Sequence, residues 1–261
     1  MRIQNKYLDI LSQGHPRILV FDCEFWHVLG KSGDSNIIYD KGKDFFFIPR
    51  EIGGFILTKR SDGWEYTPHF YVTLDRPKGR DVAFPISHFA TVTPQTGWKL
   101  DEIEQQLSLP WGDAYSSRLP PEERTKWEEG ITLYENDSNI MGAHRPTSWY
   151  SKFLKVYSES IVIVKGTKDI ESIQNACQIY GIKYVDPAAV NDIGVWNPTS
   201  RKQCGSAKLE ETFKCVKDQF DDDTGNGNRI RDILPLGKSH DPSVDASMTL
   251  LVALYIISKR P

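Results

Sequence analysis

The sequence predicts an α/β protein whose mixed β-sheet is flanked by helices. Three apolar stretches in the first 74 residues, with a turn-forming Ser-Asp-Gly segment between the last two, are typical of an antiparallel meander. From residue 151 onward, predicted helices and strands alternate, which favours parallel strands joined by helices. Turn residues and aromatic side chains fill residues 75–150, which we interpret as a helical insertion in a single domain spanning 1–261. The alternative is that this stretch belongs to one common core.

The first strand, predicted at residues 17–25, organises the N-terminal part. Four apolar residues lead into Asp22 and Glu24, and a run of this length with β-branched residues is typical of a buried central strand. The second and third strands are predicted at 51–58 and 67–74.

The C-terminal part is predicted to end in a capped helix. Asp241 is a suitable N-cap residue, and Pro242 is favoured at the first helical position. In chain order, the predicted elements are a helix at 147–159, a strand at 161–164, a helix at 169–180, a strand at 182–185, a helix at 207–218 with Ser206 as its N-cap, and a final helix at 242–259.

The composition is that of an ordinary globular protein, with 39% hydrophobic and 26% charged residues. A net charge of −3 excludes a generally basic nucleic-acid-binding coat, but it leaves room for a local basic groove. No apolar run is long enough to cross a bilayer, so we expect no membrane association. The four cysteines lack zinc-site spacing and indicate no disulfide framework, so we expect reduced thiols in an intracellular protein, in either the cytoplasm or the nucleus.

Two carboxylates on the first strand form the first candidate site. Asp22 and Glu24 are two positions apart, so their side chains point to the same face of the strand. Burial beside an apolar run is unfavourable for two like charges, and a divalent cation between them is the simplest compensation. Hard cations such as Mg²⁺ prefer carboxylate oxygens. The alternative is that both side chains lie past the sheet edge and are solvated.

Further candidate residues lie at the ends of later elements. Asp169 comes directly after the strand at 161–164, and the carboxyl ends of strands open onto the ligand crevice in α/β sheets. Asp245 falls in the first turns of the last helix, and His240 precedes that helix. Taken singly, Asp169 is typical of an N-cap, Asp245 of a surface acid and His240 of a loop histidine.

These residues follow the order of the motifs of a known enzyme family. The motifs are, in chain order, Asp22-x-Glu24, Arg50-Glu51-Ile52-Gly53, Asp169, and His240-x4-Asp245. Over about residues 17–74 and 160–259, the sequence therefore resembles the DEDDh family of 3′–5′ exonucleases. The resemblance implies a ribonuclease H-like fold, in which antiparallel strands are followed by parallel ones.

Two features depart from the family pattern. The stretch between the second strand and Asp169 is long, which is why residues 75–150 are interpreted as an insertion. Lys165 and Gly166 stand where the family often has Asn or His before its second motif aspartate. Asp192 is therefore kept as an alternative to Asp169.

The resemblance implies a hydrolase that cleaves phosphodiesters with two Mg²⁺ or Mn²⁺ ions. Asp22 would contact both ions. Glu24 and Asp245 would hold the ion that activates a water molecule, and Asp169 would hold the ion at the leaving group. His240 would accept the proton of that water. The expected partner is the 3′ end of single-stranded DNA or RNA, and the expected products are nucleoside 5′-monophosphates.

Aromatic and basic residues near these motifs are candidates for substrate binding. Phe25 and Trp26 follow the first carboxylates and can stack on the terminal base, although one of them can instead belong to the core. Residues 75–150 are a candidate surface for a protein partner or for self-association. The candidates for phosphate contacts, which are otherwise ordinary surface charges, are Lys165, Lys168, Arg229 and Arg231.

Two other functions remain compatible with these motifs. One is a catalytically silent ribonuclease H-like module that binds nucleic acid or acts as a scaffold, although chemically competent residues occupy all five motif positions. The other is a hydrolase of dinucleotides or of another small phosphodiester. The choice between DNA and RNA depends on pocket geometry rather than on these motifs.

Overall fold

The computed structural model describes residues 2–29, 45–74, 82–83, 143–144, 146–217, 230–232, 234, 236 and 241–259. Most of the predicted insertion at 75–150, together with Arg229 and His240, lies outside the described residues.

Among the described residues, strands predominate up to residue 144, and helices alternate with the last two strands after it. The strands are β1 (Arg2–Ile3), β2 (Arg17–Leu29), β3 (Phe45–Arg60), β4 (Gly63–Leu74), β5 (Val82–Ala83), β6 (Ala143–His144), β7 (Ile161–Val164) and β8 (Ala189–Asp192). The helices are α1 (Lys6–Leu11), α2 (Pro146–Ser158), α3 (Lys168–Ile179), α4 (Asn197–Cys204), α5 (Leu209–Val216) and α6 (Pro242–Ser258), with 3-10 turns at Ile193–Trp196 and Ile230–Asp232.

The described strands form one mixed sheet with the main order β1-β4-β3-β2-β7-β8. Strands β2, β3 and β4 are antiparallel neighbours, whereas β7 runs parallel to β2 and β8 runs parallel to β7. The short strand β5 pairs with β2, and β6 pairs with β4. The predicted α/β class is therefore confirmed, as is a mixed sheet in which antiparallel strands are followed by parallel ones.

Strand β2 lies in the middle of the sheet and is covered on both faces. Leu19 and Phe21 belong to a core cluster that includes residues of α2 and α3. Ile18 and Val20 belong to a second cluster, which includes residues of α1 and α6. Because alternate side chains point to opposite faces, helices on both sides explain why β2 begins as a continuous apolar run. Full burial of each such side chain contributes roughly 1.5–3 kcal/mol.

The strand predicted at 182–185 is misplaced. Residues 182–187 are irregular, and the next strand is β8, which pairs with β7. The apolar side chains of this stretch are partly buried against the cluster of α2 and α3. Their hydrophobicity is therefore explained by this packing and does not require pairing with another strand. Pro187 has no backbone N–H to donate, and pairing begins only after it, at Ala189.

The helix predicted at 207–218 is shorter than expected, and a further helix, α4, precedes it. Lys208, rather than Ser206, occupies the N-cap position of α5. The Ser206 hydroxyl instead accepts a hydrogen bond from the Lys208 N–H at 3.1 Å. Helix α4 has Pro198 in its first turn, where proline's fixed φ favours a helix start.

The expectation that all four cysteines are reduced thiols is wrong. Cys204, at the end of α4, and Cys215, in α5, form a disulfide, and their Cα atoms are 5.7 Å apart. Cys23 and Cys177 are free and buried. The pairing depends on how α4 and α5 fold back on each other, and the cysteine spacing does not reveal it.

Candidate metal centre

The candidate centre lies where β2 extends beyond its parallel neighbour. Strand β7 pairs with β2 as far as Val20, and Asp22 and Glu24 follow on β2. By alternation, their side chains share the face on which Val20 packs in the cluster of α1 and α6. Ligands of α/β sheets bind in the crevice beyond the carboxyl ends of the strands, which is where these two carboxylates are.

The start of α6 supplies a third carboxylate. The Asp241 side chain caps this helix by accepting hydrogen bonds from the N–H groups of Ser243 and Val244, at 2.9 and 3.4 Å, and Pro242 is the first helical residue. The predicted cap is therefore confirmed. Asp245 follows in the first turn of α6, and one oxygen each of Asp22, Glu24 and Asp245 lies within 4.8 Å of the other two.

Burial makes this cluster of carboxylates electrostatically unfavourable in the absence of a cation. Glu24 and Asp245 are only 7% and 9% exposed, and Asp22 is partly buried. Burial, followed by the charges of Asp169, Asp245 and Glu24, raises the pKa of Asp22 well above its ordinary value. A divalent cation between the three carboxylates would offset their mutual repulsion, so these residues can hold a metal ion.

Asp169 lies beside this cluster. Asp169 lies in the first turn of α3, and Thr167 is the N-cap residue of this helix. The interpretation of Asp169 as an N-cap is therefore wrong. The Oδ1 atom of Asp169 accepts a hydrogen bond from the Cys23 N–H at 3.1 Å, beyond the last residue of β2 that pairs with β7. Burial raises the pKa of Asp169 to about 8, against the lowering effect of this hydrogen bond. Among neighbouring charges, Asp169 has the largest effect on the pKa of Asp22.

The alternative fourth carboxylate, Asp192, binds backbone groups. Its Oδ1 atom accepts hydrogen bonds from the N–H groups of Gly166 and Gly194, both at 2.6 Å. Asp192 thereby caps the 3-10 turn that follows β8. This arrangement favours Asp169 as the carboxylate available to the site.

The aromatic candidates Phe25 and Trp26 occupy different environments. Trp26 is 3% exposed and its Nε1–H donates to the Leu74 carbonyl oxygen at 3.3 Å, so Trp26 is a core residue. Phe25 is partly exposed, and its ring centroid lies 5.3 Å from that of Phe47. Only Phe25 therefore offers a ring for stacking.

The basic candidates are dispersed. Lys168 precedes Asp169 in the chain, and its Nζ atom lies 4.8 Å from the centroid of the Phe47 ring. The Lys165 Nζ donates to the Ala207 carbonyl oxygen, and partial burial lowers the pKa of this amine. Arg231 lies in the 3-10 turn Ile230–Asp232.

Residues of β3 and β4 that sequence reasoning did not assign a role also border the site. Glu51 lies directly opposite Glu24 and is 1% exposed. Its Oε1 atom is 2.9 Å from the Arg50 guanidinium, and Tyr71 is hydrogen-bonded to its carboxyl group. Burial raises the pKa of Glu51, and Arg50 opposes this effect. Arg50 is the extra residue of a β-bulge in β3. Two adjacent charged residues within a predicted strand are the feature of the sequence that could have indicated this bulge.

No helix in the described part of the chain is both long and apolar enough to span a membrane.

No protein-family model matches this chain, and no curated protein is significantly similar to it.

Proposed function

We propose that the protein is a metal-dependent 3′–5′ exonuclease of the DEDDh type, with a ribonuclease H-like fold. The observation that supports this most directly is the convergence of Asp22, Glu24 and Asp245, from the two ends of the chain, within 4.8 Å of one another. Their oxygen ligands suit Mg²⁺ or Mn²⁺.

The sheet topology is consistent with this assignment. Three antiparallel strands, β4, β3 and β2, are followed by parallel strands β7 and β8, in that spatial order. The carboxylates lie on the central strand β2 and at the starts of α3 and α6. The sequence resemblance implies antiparallel strands followed by parallel ones, so this strand order supports the proposed ribonuclease H-like fold.

Asp22 belongs to two groups of carboxylates, which suits a site for two ions. Glu24 and Asp245 lie with Asp22 in the cluster of mutually close oxygens. Asp169, which accepts a hydrogen bond from the Cys23 N–H, has the largest effect of the neighbouring charges on the pKa of Asp22. Asp22, Glu24 and Asp245 would hold one ion, and Asp22 and Asp169 would hold the other.

Two bound ions would lower the pKa of the attacking water and would stabilise the leaving oxyanion. The chain's own contribution is to hold these carboxylates in place before substrate arrives. His240, which lies outside the described residues, is proposed to accept the proton of the attacking water, because histidine is the side chain that most often serves as a general base.

Substrate contacts are proposed for the residues beside the carboxylates. Phe25 follows Glu24 directly and is partly exposed, so the terminal base can stack on its ring, a contact worth roughly 1–3 kcal/mol. Lys168, next to Asp169, is exposed and can contact a phosphate. The proposed substrate is the 3′ end of single-stranded DNA or RNA. Residues 75–150 stay a predicted surface for a protein partner or self-association.

The test is digestion of matched DNA and RNA oligonucleotides that carry a label at the 5′ end. The protein with Mg²⁺ or Mn²⁺ should shorten them stepwise from the 3′ end and release nucleoside 5′-monophosphates, and EDTA should stop the reaction. Asp22→Asn should abolish cleavage, because it removes the carboxylate shared by both groups. Asp192→Asn is the control, since its amide oxygen still accepts backbone hydrogen bonds.

Two results would contradict the proposal. Oligonucleotide binding that survives EDTA, with no cleavage under any metal, would indicate a silent binding module. Rapid hydrolysis of dinucleotides combined with no activity on longer chains would indicate a hydrolase of small phosphodiesters.

A further inference from the structure

Gly53 lies in β3 beside the proposed metal centre, at a position where the sheet has no side chain. It lies directly opposite Asp22 in the ladder between β2 and β3, and directly opposite Tyr71 in the ladder between β3 and β4. Directly opposed residues of antiparallel strands project to the same face. A side chain at position 53 would therefore stand next to that of Asp22, on the face covered by α6.

The first turn of α6 fills the space that this missing side chain leaves. A Cβ atom placed on Gly53 would lie 2.4 Å from the Ser243 N atom and 2.7 Å from both the Pro242 carbonyl carbon and the Ser243 Oγ atom. Two of these three atoms belong to the backbone, so rotation of a side chain does not relieve the clash. The helix start thus rests on the bare backbone of β3.

Hydrogen bonds connect this contact rigidly to Asp245. The Ser243 hydroxyl donates to the Phe70 carbonyl oxygen of β4 at 3.2 Å. The Asp241 carboxylate caps the Ser243 N–H at 2.9 Å, and the Asp245 N–H donates to the Asp241 carbonyl oxygen at 2.9 Å. A displacement of the helix start therefore moves Asp245 with it.

We propose that Gly53 is a positioning residue of the metal centre, because its missing side chain sets how closely α6 brings Asp245 to Asp22 and Glu24. The inference rests on the proposed function only in requiring that these carboxylates bind a cation. A Cβ atom at position 53 would push the Ser243 backbone outward by about 1 Å before an ordinary contact is restored. Mg²⁺ requires near-ideal octahedral geometry at about 2.0–2.1 Å, whereas Ca²⁺ tolerates flexible geometry at about 2.3–2.6 Å, so Mg²⁺ should be the more sensitive ion.

The test compares Gly53→Ala with Gly205→Ala by calorimetric titration with Mg²⁺, Mn²⁺ and Ca²⁺. Gly205 ends α4 in the left-handed region, with a φ of 73°, and nothing lies within 4 Å of a Cβ atom placed on it, so Gly205→Ala strains the backbone without pressing on β2 or α6. Both variants should lose stability. In the folded protein, Gly53→Ala should weaken Mg²⁺ and Mn²⁺ binding on the order of 10-fold or more, with a smaller effect on Ca²⁺, whereas Gly205→Ala should leave affinity nearly unchanged.

Two further variants keep the inference testable. If Gly53→Ala does not fold, Ser243→Ala takes its place, because it frees the helix start from Phe70 without adding an atom; it should also weaken Mg²⁺ binding. If Gly53→Ala folds, adding Asp245→Glu lengthens the carboxylate arm by one methylene. The double variant should then bind Mg²⁺ more tightly than Gly53→Ala alone.

The outcomes separate this inference from the proposed function. If the wild-type protein binds no divalent cation, the metal centre and the proposed function both fail. If the wild-type protein binds Mg²⁺ and folded Gly53→Ala, or Ser243→Ala in its place, binds it equally well, the positioning role is wrong and the metal centre stands.

Discussion

At the scale of single residues, the carboxyl group of Asp169 links protonation to stability. Burial raises its pKa from 3.8 to about 8 in the folded protein, and the pKa of Asp22 is raised as well. Between these pH values, the folded state keeps a proton that the unfolded state has released. The contribution of this carboxyl group to the free energy of unfolding therefore falls as pH rises through this interval.

We accordingly expect the metal-free protein to be more stable near pH 5 than near pH 8. The melting temperature, measured in EDTA across this range, should decrease with pH. Asp169→Asn should flatten this dependence, because the amide does not titrate. A melting temperature that rises steadily from pH 5 to 8, equally in both proteins, would contradict a raised pKa for Asp169.

At the scale of elements, α6 depends on the cap at its N-terminus. Asp241 satisfies two of the backbone N–H groups that a helix start leaves without partners. Asp241→Ala should lower the free energy of unfolding by about 1 kcal/mol, because both hydrogen bonds are lost. Asp241→Asn should be close to wild type, since asparagine caps as well as aspartate. Chemical denaturation measures both, and equal stability of the two variants would contradict the capping role.

The disulfide between α4 and α5 is a second feature at this scale. Both helices span eight residues, and helices this short are marginal on their own. Cys204 and Cys215 close a loop with a sequence separation of 11 residues, for which the chain-entropy model gives about 3 kcal/mol.

We expect Cys204→Ser combined with Cys215→Ser to lower the free energy of unfolding by up to about this amount. Reduction of the wild-type protein should have a similar effect. Alkylation of the unreduced, denatured protein should label Cys23 and Cys177 alone, as read by mass spectrometry. Labelling of all four cysteines without reductant would show that the bond does not form.

At the scale of the whole molecule, the metal centre joins distant parts of the chain. Asp22 and Glu24 come from β2 near the N-terminus, and Asp245 comes from the last described helix, α6. A cation held by all three residues binds only the folded state, so it must raise the melting temperature.

A hundredfold excess of Mn²⁺ over its dissociation constant should add about 2.7 kcal/mol to the free energy of unfolding. Asp245→Asn should abolish the rise in melting temperature caused by Mn²⁺, because it removes one charged ligand of the cluster. Asp192→Asn should retain it. An equal shift in all three proteins would indicate that the ion binds elsewhere.

Much of the fold class and two features of the candidate site can be predicted from local patterns in the sequence. The apolar run of β2 and the two-residue spacing of Asp22 and Glu24 place both carboxylates on one face, because side chains alternate along any strand. Asp241 and Pro242 mark the start of α6, because capping chemistry acts within a few residues. These features depend on neighbours in the chain, and the sequence contains them in full.

Distances between remote residues depend instead on packing. The short distance between Asp245 and Asp22 requires α6 to pack against Gly53. The hydrogen bond to Asp169 requires an N–H group of β2, that of Cys23, beyond the residues paired with β7. The pairing of β8 and the disulfide likewise arise from how elements fold against one another. Local preferences leave such distances open, because many arrangements of the same strands and helices satisfy them. Burial of the two core clusters on either side of the sheet selects one arrangement, and with it the geometry of the carboxylates.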